Sequence, residues 1–154
     1  MPNNSTSSRS GAILAPQQGV TLTQSQPSFG NTAVRLHRCR SEPGYEMHYT
    51  EHGAGPPVVF VHGSGPGANA WSNFSPNVGP ITQAGFRCLL PDMIGFGYSS
   101  KPTGVDYTLD LFTPTLLRFL DALEIRRCAL VGNSLGGAIA MRLAIDTPSA
   151  SSSS

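Results

Sequence analysis

The stretch RCALVGNSLGGAIAMRLAIDT, from Arg127 to Thr147, decides the fold of this chain. It begins as an apolar run typical of a strand, crosses the sequence GNSLG at 132–136, and continues with apolar residues at helical spacing. A G-x-S-x-G sequence between a strand and a helix is typical of a nucleophile elbow, a sharp turn that presents a serine hydroxyl. The alternative interpretation is an ordinary strand, loop and helix that happen to contain a serine.

The glycines around Ser134 fit the steric demand of such a turn. The residues two before and two after the serine must be nearly free of side chains, and Gly132 and Gly136 meet that demand. Gly137 and Ala138 are small enough for the helix to lie close to the sheet. The elbow would hold the serine hydroxyl at a helix N-terminus, which favours developing negative charge.

Length and composition limit the class of protein. The chain has 154 residues, enough for one domain, and its formal net charge of +1 argues against nucleic acid or an anionic membrane as a partner. No apolar run approaches the length of a membrane span. Cys39, Cys88 and Cys128 are odd in number and lack metal-ligand spacing. Cys88 and Cys128 lie in apolar, strand-like runs and are interpreted as buried free thiols, which fits a reducing compartment. We therefore expect a cytoplasmic location.

Composition divides the chain into three parts. Residues 1–31 are polar and predicted to be disordered, residues 32–148 carry the folded domain, and residues 149–154 form a serine-rich tail without fold information. Strands alternate with helices in the domain, which predicts an α/β fold with a largely parallel sheet of about five strands, ending after the elbow helix. The predicted strands are 33–38 and 45–52 as an antiparallel pair, then 58–61, 86–90 and 127–132. The predicted helices are 68–84, irregular because it contains two prolines, a second from 108 or 113 onward, and 134–146.

Three motifs stand in order along the chain: HGSGPG at 62–67, PDMIGFGYS at 91–99 and VGNSLGG at 131–137. Together they resemble the α/β-hydrolase superfamily over about residues 31–148. The longer sequence HGSGPGANAWSNF at 62–74, and the asparagine before the serine, are similar to the meta-cleavage-product hydrolases. Those enzymes cut a carbon–carbon bond in ring-opened aromatic compounds. The resemblance implies a small-molecule substrate and neither a metal nor an organic cofactor.

The resemblance also implies roles for individual residues. Ser134 would be the nucleophile, and the backbone N–H groups of Ser64 and Leu135 would form the oxyanion hole. Asn73 and Asn133 would lie near the polar end of the bound substrate. From the residues alone, both asparagines are ordinary polar groups of loops.

The four histidines are not predicted to be catalytic. His37, His48 and His52 lie on or beside the first two predicted strands and are interpreted as surface or strand-edge residues. His62 stands at the end of a strand, as does Asp92, and the resemblance implies that these two positions shape loops and do not transfer protons.

The acid and the histidine of a catalytic triad are missing from the sequence. In α/β-hydrolases the triad runs serine, acid, histidine along the chain, yet only 20 residues follow Ser134, and none is a histidine. Asp146, the only later acid, would lie about 18 Å along the helix axis from the serine. We therefore expect a truncated serine hydrolase with strand 127–132 as an exposed sheet edge. The alternatives are a catalytically inactive fragment or interaction remnant, and a carboxylesterase-like hydrolase.

Overall fold

The computed structural model describes residues 21–24, 34–39 and 45–147 of the chain. The disorder expected over residues 1–31 falls outside the described residues except at Thr21–Gln24, which form a strand. The turn predicted at 42–44 and the serine-rich tail at 149–154 also lie outside them.

The described elements alternate as the sequence predicts for an α/β fold. The two N-terminal predicted strands are present and pair antiparallel, and each later strand is followed or preceded by a helix. The elements are β1 (Thr21–Gln24), β2 (Val34–Cys39), β3 (Tyr45–His52), β4 (Pro57–Val61), α1 (Ala70–Gln83), β5 (Arg87–Pro91), α2 (Leu109–Ala122), β6 (Ala129–Gly132) and α3 (Leu135–Asp146).

The strands form one mixed sheet in the order β1-β2-β3-β5-β4-β6. The pairs β1–β2, β2–β3 and β3–β5 are antiparallel, whereas β4 runs parallel to both β5 and β6. The largely parallel sheet of the sequence prediction is therefore limited to the β5-β4-β6 part. In that part Val61 at the end of β4 is the register partner of Gly132 at the end of β6. The loops that leave these two strands consequently begin side by side.

Strand β4 is buried on both faces, as its β-branched composition predicts. Val58 and Phe60 lie in one core cluster, which α1 covers with its buried residues Ala70, Phe74 and Val78. Val59 and Val61 lie in a second cluster, on the face covered by α2 and α3. That second cluster also contains Met47, Tyr49, Leu89, Met93, Ile94, Phe112, Leu116, Phe119, Leu120, Ile139 and Leu143.

Two helices test the sequence predictions. The α1 helix runs without a break across Pro76 and Pro80, so the irregularity predicted from these prolines is wrong. The side chain of its N-cap Asn69 accepts a hydrogen bond from the Ser72 N–H at 2.8 Å. The α2 helix begins at Leu109 with Thr108 as its N-cap, so the earlier of the two predicted starts is confirmed. Pro114 lies inside this helix.

Strand β6 lies at the edge of the described sheet. Among the described strands it pairs with β4 alone, and its Val131 is 39% exposed. Met141 and Ile145 on α3 are 65% and 72% exposed. The exposed edge that the sequence predicts at strand 127–132 is therefore present in the described part of the chain, and one face of α3 is uncovered there as well. None of the three described helices is long and apolar enough to cross a membrane.

Candidate active site

The turn at Ser134 has the strained backbone of a nucleophile elbow. Ser134 has φ 55° and ψ −115°, and Glu124 is the only other described non-glycine residue with a positive φ. A side chain at positive φ crowds its own backbone, so this conformation costs free energy. The turn is held by the Asn133 N–H, which donates to the Val61 carbonyl oxygen at 3.1 Å, and by the Gly137 N–H, which donates to the Ser134 carbonyl at 2.8 Å.

The close approach of α3 to the sheet explains two of the glycines. A Cβ atom on Gly136 would stand under 3.0 Å from the Val61 carbonyl oxygen, and one on Gly132 under 3.0 Å from the Gly136 carbonyl oxygen. Both neighbours are backbone atoms, which cannot move aside alone. The predicted steric demand at these two positions is confirmed. At Gly137 a Cβ would stand 3.7 Å from the Gly132 oxygen, an ordinary contact, so that position does not require glycine.

We expect the strain at Ser134 to appear in stability measurements. Ser134→Gly relieves the positive φ, whereas Ser134→Ala keeps it, so the glycine variant should be more stable than the alanine variant by about 1 kcal/mol. Glu124, with φ 57° just beyond α2, is the matched control, and Glu124→Gly should likewise exceed Glu124→Ala. Thermal unfolding of the four variants measures both differences. An alanine variant as stable as the glycine variant at position 134 would contradict the strain.

The loop after β4 lies directly against the elbow. A Cβ atom on Gly63 would stand 3.1 Å from the Asn133 carbonyl oxygen and 3.3 Å from the Ser134 Cβ. The Gly63 N–H donates to Asn73 Oδ1 at 3.1 Å, and Asn133 Nδ2 donates to the same oxygen at 2.9 Å. The structure thus brings together Gly63, Asn73, Asn133 and Ser134, and the last three are predicted site residues.

The two predicted oxyanion donors, the N–H groups of Ser64 and Leu135, are neighbours of these four residues in the chain. Ser64 follows Gly63 in the loop, and Leu135 follows Ser134 at the first position of α3. Within the described part of the chain, neither backbone N–H donates to another residue. First-turn N–H groups of a helix have no partner inside the helix. Both N–H groups therefore lack a hydrogen-bond partner among the described residues, and Leu135 directly follows the exposed Ser134.

The His62 ring forms hydrogen bonds with the loop after β4 and with the loop after β5. It is fully buried, Nδ1 donates to the Gly63 carbonyl oxygen at 2.8 Å, and Nε2 accepts from the Met93 N–H at 3.0 Å. A ring nitrogen that accepts from a backbone N–H carries no proton, so this arrangement requires neutral imidazole. Burial lowers the pKa of His62, against smaller opposing effects of the Gly63 carbonyl and Asp92. The ring therefore has a structural role and no free nitrogen for catalysis.

The neutral state of His62 makes stability depend on pH. Because its folded-state pKa lies below the ordinary value of 6.5, the unfolded chain takes up the proton first. The stabilisation is complete above that value and is lost as the pH falls below it. We expect the unfolding midpoint of the wild type to drop more steeply than that of His62→Gln between about pH 7.5 and about pH 5. His52 is present in both proteins, so its contribution to the pH dependence is the same in each. Identical slopes of unfolding midpoint against pH for the two proteins would contradict the assignment of a neutral His62.

His48 corrects one sequence prediction. It was expected at the surface or a strand edge, but it is only 3% exposed, and its Nδ1 lies 2.9 Å from Asp92 Oδ2. The alternation of apolar and polar residues along β3 suggests that His48 faces solvent. The prediction is wrong because β3 lies inside the sheet and the loop after β5 covers that face: the Ser99 hydroxyl of this loop accepts a hydrogen bond from the His48 N–H at 2.9 Å.

Asp92 joins three separate segments. Its Oδ1 accepts from the Ala70 N–H at the start of α1 at 2.9 Å, and its Oδ2 accepts from the Tyr98 N–H at 3.0 Å in addition to facing His48. Burial alone would raise the pKa of Asp92, but the hydrogen bonds from His48, Ala70 and Tyr98 together hold it below its ordinary value. The carboxylate is therefore a charged structural centre that fixes the loop after β5.

The described residues offer no clustered metal ligands. Among them, no group of three or more histidine, cysteine, aspartate or glutamate side chains could hold an ion. The groups that the elbow and the loop after β4 present are the Ser134 hydroxyl and the backbone N–H groups of Ser64 and Leu135.

A family profile and two characterised hydrolases match this chain, and they indicate the same family. The sequence profile of a family described as "alpha/beta hydrolase fold" matches residues 56–152. A 2-hydroxy-6-oxo-2,4-heptadienoate hydrolase of Pseudomonas putida is 46% identical over 118 residues, which are 77% of this chain and 42% of that protein. A 2-hydroxymuconate semialdehyde hydrolase of Pseudomonas sp. strain CF600 is 45% identical over 129 residues, which are 84% of this chain and 43% of that protein.

A solved structure agrees with these sequences. A meta-cleavage product hydrolase from Pseudomonas fluorescens IP01, determined as a mutant in complex with acetates, superposes with a TM-score of 0.66 at 33% identity. The match covers 69% of this chain and 39% of that one. The chain therefore spans less than half the length of the relatives that it matches.

Proposed function

The chain belongs to the α/β-hydrolase family, and we propose that it supplies the nucleophile and the oxyanion-binding groups of a serine hydrolase that cleaves carbon–carbon bonds in ring-opened aromatic compounds. The observation that carries the proposal is Ser134, held at φ 55° between β6 and α3 with the Gly63 loop against it. The dienoate and semialdehyde substrates in the names of the relatives support the substrate class.

In the proposed reaction the Ser134 hydroxyl passes its proton to a base, and its oxygen bonds to a carbonyl carbon of the substrate. The carbonyl oxygen then becomes an oxyanion, which would accept hydrogen bonds from the backbone N–H groups of Ser64 and Leu135. When the oxyanion collapses, the carbon–carbon bond breaks, the departing carbon takes the proton from the base, and water then releases the acyl group from Ser134. The N-terminal end of α3 adds a favourable electrostatic field at the same point, since the helix dipole is positive there. Backbone donors that are fixed before the substrate binds need little reorganisation as the charge develops.

Asn73 and Asn133 are proposed to meet the polar end of the substrate. Both side chains lie at the corner formed by the Gly63 loop and the elbow, and Asn133 is exposed there. The names of the relatives describe substrates with a 2-hydroxy group and a carboxylate, which require hydrogen-bonding partners when water is displaced. Amide side chains provide both donors and acceptors without adding charge.

The general base is not assigned to a described histidine. Both ring nitrogens of the buried His62 are engaged, and His48 is buried against Asp92. His52 lies on β3 with its ring stacked on Trp71 at a centroid distance of 5.3 Å. Because a serine hydroxyl without a base is a weak nucleophile at neutral pH, we propose that full activity needs a base from outside the described residues.

The cysteines support a reducing compartment, and we propose a cytoplasmic location. Of the cysteines whose side chains are described, Cys88 is buried and Cys128 is partly buried, and both are free thiols. Burial raises the pKa of both thiols, that of Cys128 to about 11, so each remains protonated and unreactive.

The proposal is tested by comparing wild type with Ser134→Ala on a 2-hydroxy-6-oxo-dienoate and on a p-nitrophenyl ester, each with and without imidazole as an external base. A dienoate rate that disappears in Ser134→Ala supports the proposal. A serine-dependent rate on the ester alone would assign the carboxylesterase-like alternative. Equal rates for both proteins under all conditions would refute a hydrolase role for this chain and favour an inactive fragment or interaction remnant.

A further inference from the structure

One side-chain oxygen holds the two loops of the site together. Asn73 Oδ1 accepts hydrogen bonds from the Gly63 N–H at 3.1 Å and from Asn133 Nδ2 at 2.9 Å. Gly63 precedes the proposed donor Ser64, and Asn133 precedes Ser134 and the proposed donor Leu135. We propose that Asn73 is a positioning residue that fixes the distance between the two oxyanion donors. This inference rests on the proposed function and adds a role to the substrate contact proposed above.

The orientation of the Asn73 amide follows from its partners. A backbone N–H can only donate, so the atom that faces Gly63 must be the carbonyl oxygen of the side chain. An amide oxygen has two lone pairs, and the two bonds occupy both of them. The Asn73 nitrogen alone remains free to meet a ligand, and it can only donate.

The Gly63 loop needs an external support because of its sequence. HGSGPG contains three glycines, and Gly67 has φ 75°, so the loop has few side chains with which to hold itself. The Gly63 carbonyl and the Ser64 N–H belong to one planar trans peptide and point in opposite directions. His62 Nδ1 holds the carbonyl, and Asn73 holds the N–H of Gly63. Together they set the direction of the Ser64 N–H.

Asn73 is itself well anchored. It lies in the first turns of α1, whose start is fixed by the Asn69 cap and by the bond from the Ala70 N–H to Asp92. A side chain on a rigid helix can hold loops more precisely than the loops can hold each other. Asn73 Oδ1 therefore holds both the loop after β4 and the elbow after β6 in fixed positions relative to α1.

The test is amide exchange measured by NMR on the whole chain. In Asn73→Ala the Gly63 amide should exchange about tenfold faster than in the wild type, and the Leu135 amide signal should shift. Asn73→Asp keeps two acceptor sites on one oxygen, so exchange at Gly63 should return to within about threefold of the wild-type rate. Asn77→Ala, which changes an exposed asparagine one turn later on α1, is the matched control and should leave both signals unchanged.

Reactivity of Ser134 toward a fluorophosphonate, with imidazole present, separates positioning from packing. Labelling should fall about tenfold in Asn73→Ala and stay low in Asn73→Asp, whose charge opposes an oxyanion even though the loop is held. Two exchange results in Asn73→Ala would overturn the proposal: an unchanged exchange rate at the Gly63 amide, or faster exchange spread equally over the β4 and β5 amides. Faster exchange at Gly63 with unchanged labelling of Ser134 would also overturn it. A wild type without any labelling would instead count against the proposed function, while the exchange rates would still decide whether Asn73 holds the loop.

Discussion

Gly136→Ala is expected to lower the unfolding midpoint of the chain by about 10 °C. The added Cβ would stand under 3.0 Å from the Val61 carbonyl oxygen, so α3 and β4 would have to move apart. Overpacking of this kind costs about 3 kcal/mol where the neighbour is backbone, and each kcal/mol corresponds to about 2–4 °C in a chain of this size. Thermal unfolding followed by circular dichroism measures the shift.

Gly137→Ala is the matched control for this prediction. The same methyl group is added one residue later in the same helix, but it would meet the Gly132 carbonyl group at ordinary contact distances, 3.7 Å from the oxygen and 3.9 Å from the carbon. Alanine is favoured over glycine in a helix by about 1 kcal/mol, so the midpoint should stay the same or rise by a few degrees. If the two variants were equally stable, the close contact between the elbow helix and β4 would be contradicted.

Asp92→Ala is expected to destabilise the chain by about 3 kcal/mol or more, because each buried donor left without its acceptor costs about 1–3 kcal/mol. The substitution leaves the His48 ring and the Ala70 and Tyr98 N–H groups without the carboxylate that they face. It also frees the loop that carries Met93, and with it the hydrogen bond that keeps His62 in place. Chemical denaturation at neutral pH measures the loss.

Asp110→Ala provides the surface comparison for Asp92. The Asp110 side chain is 83% exposed and lies 3.4 Å from Arg142, so its loss should change stability by less than about 1 kcal/mol.

Asp92→Asn adds a test of charge. Because hydrogen bonding lowers the pKa of Asp92, its contribution is complete above the ordinary value of 3.8 and is lost as the pH falls further. The asparagine variant should lack that acid-dependent loss, and an unchanged acid profile would contradict the assignment.

The elbow could be predicted from sequence because its constraints are local. The turn needs small residues two before and two after Ser134, and those positions are readable as GNSLG. The same locality explains why β2 to β6 and the three helices were predicted with only small boundary errors, such as β6 beginning at Ala129 and not at 127. Strand β1 (Thr21–Gln24) was missed, because it lies in a polar segment that predicts disorder and its pairing with β2 is not a local feature of the sequence. The expected resemblance to α/β-hydrolases is confirmed by the family match over residues 56–152.

The hydrogen bonds that organise the site could not be predicted in the same way, because they join residues far apart in the chain. Asn73 and Asn133 are separated by 60 positions, and His48 and Asp92 by 44. Alternation along β3 placed His48 at the surface, since a local pattern does not show that a distant loop covers that face. The sequence does show Asp92 directly after a predicted buried strand, but nothing in the sequence indicates which residues its carboxylate contacts.

The proposed roles of Ser134, Ser64 and Leu135 depend on one central claim, that the elbow makes this serine distinctively reactive. The most direct measurement is peptide mapping by mass spectrometry after treatment of wild type and Ser134→Ala with a fluorophosphonate, in the presence of imidazole. We predict an adduct on Ser134 in the wild type, no adduct in the variant, and no labelling of the exposed Ser64 and Ser72. Labelling spread over the exposed serines, or unchanged in Ser134→Ala, would contradict the account.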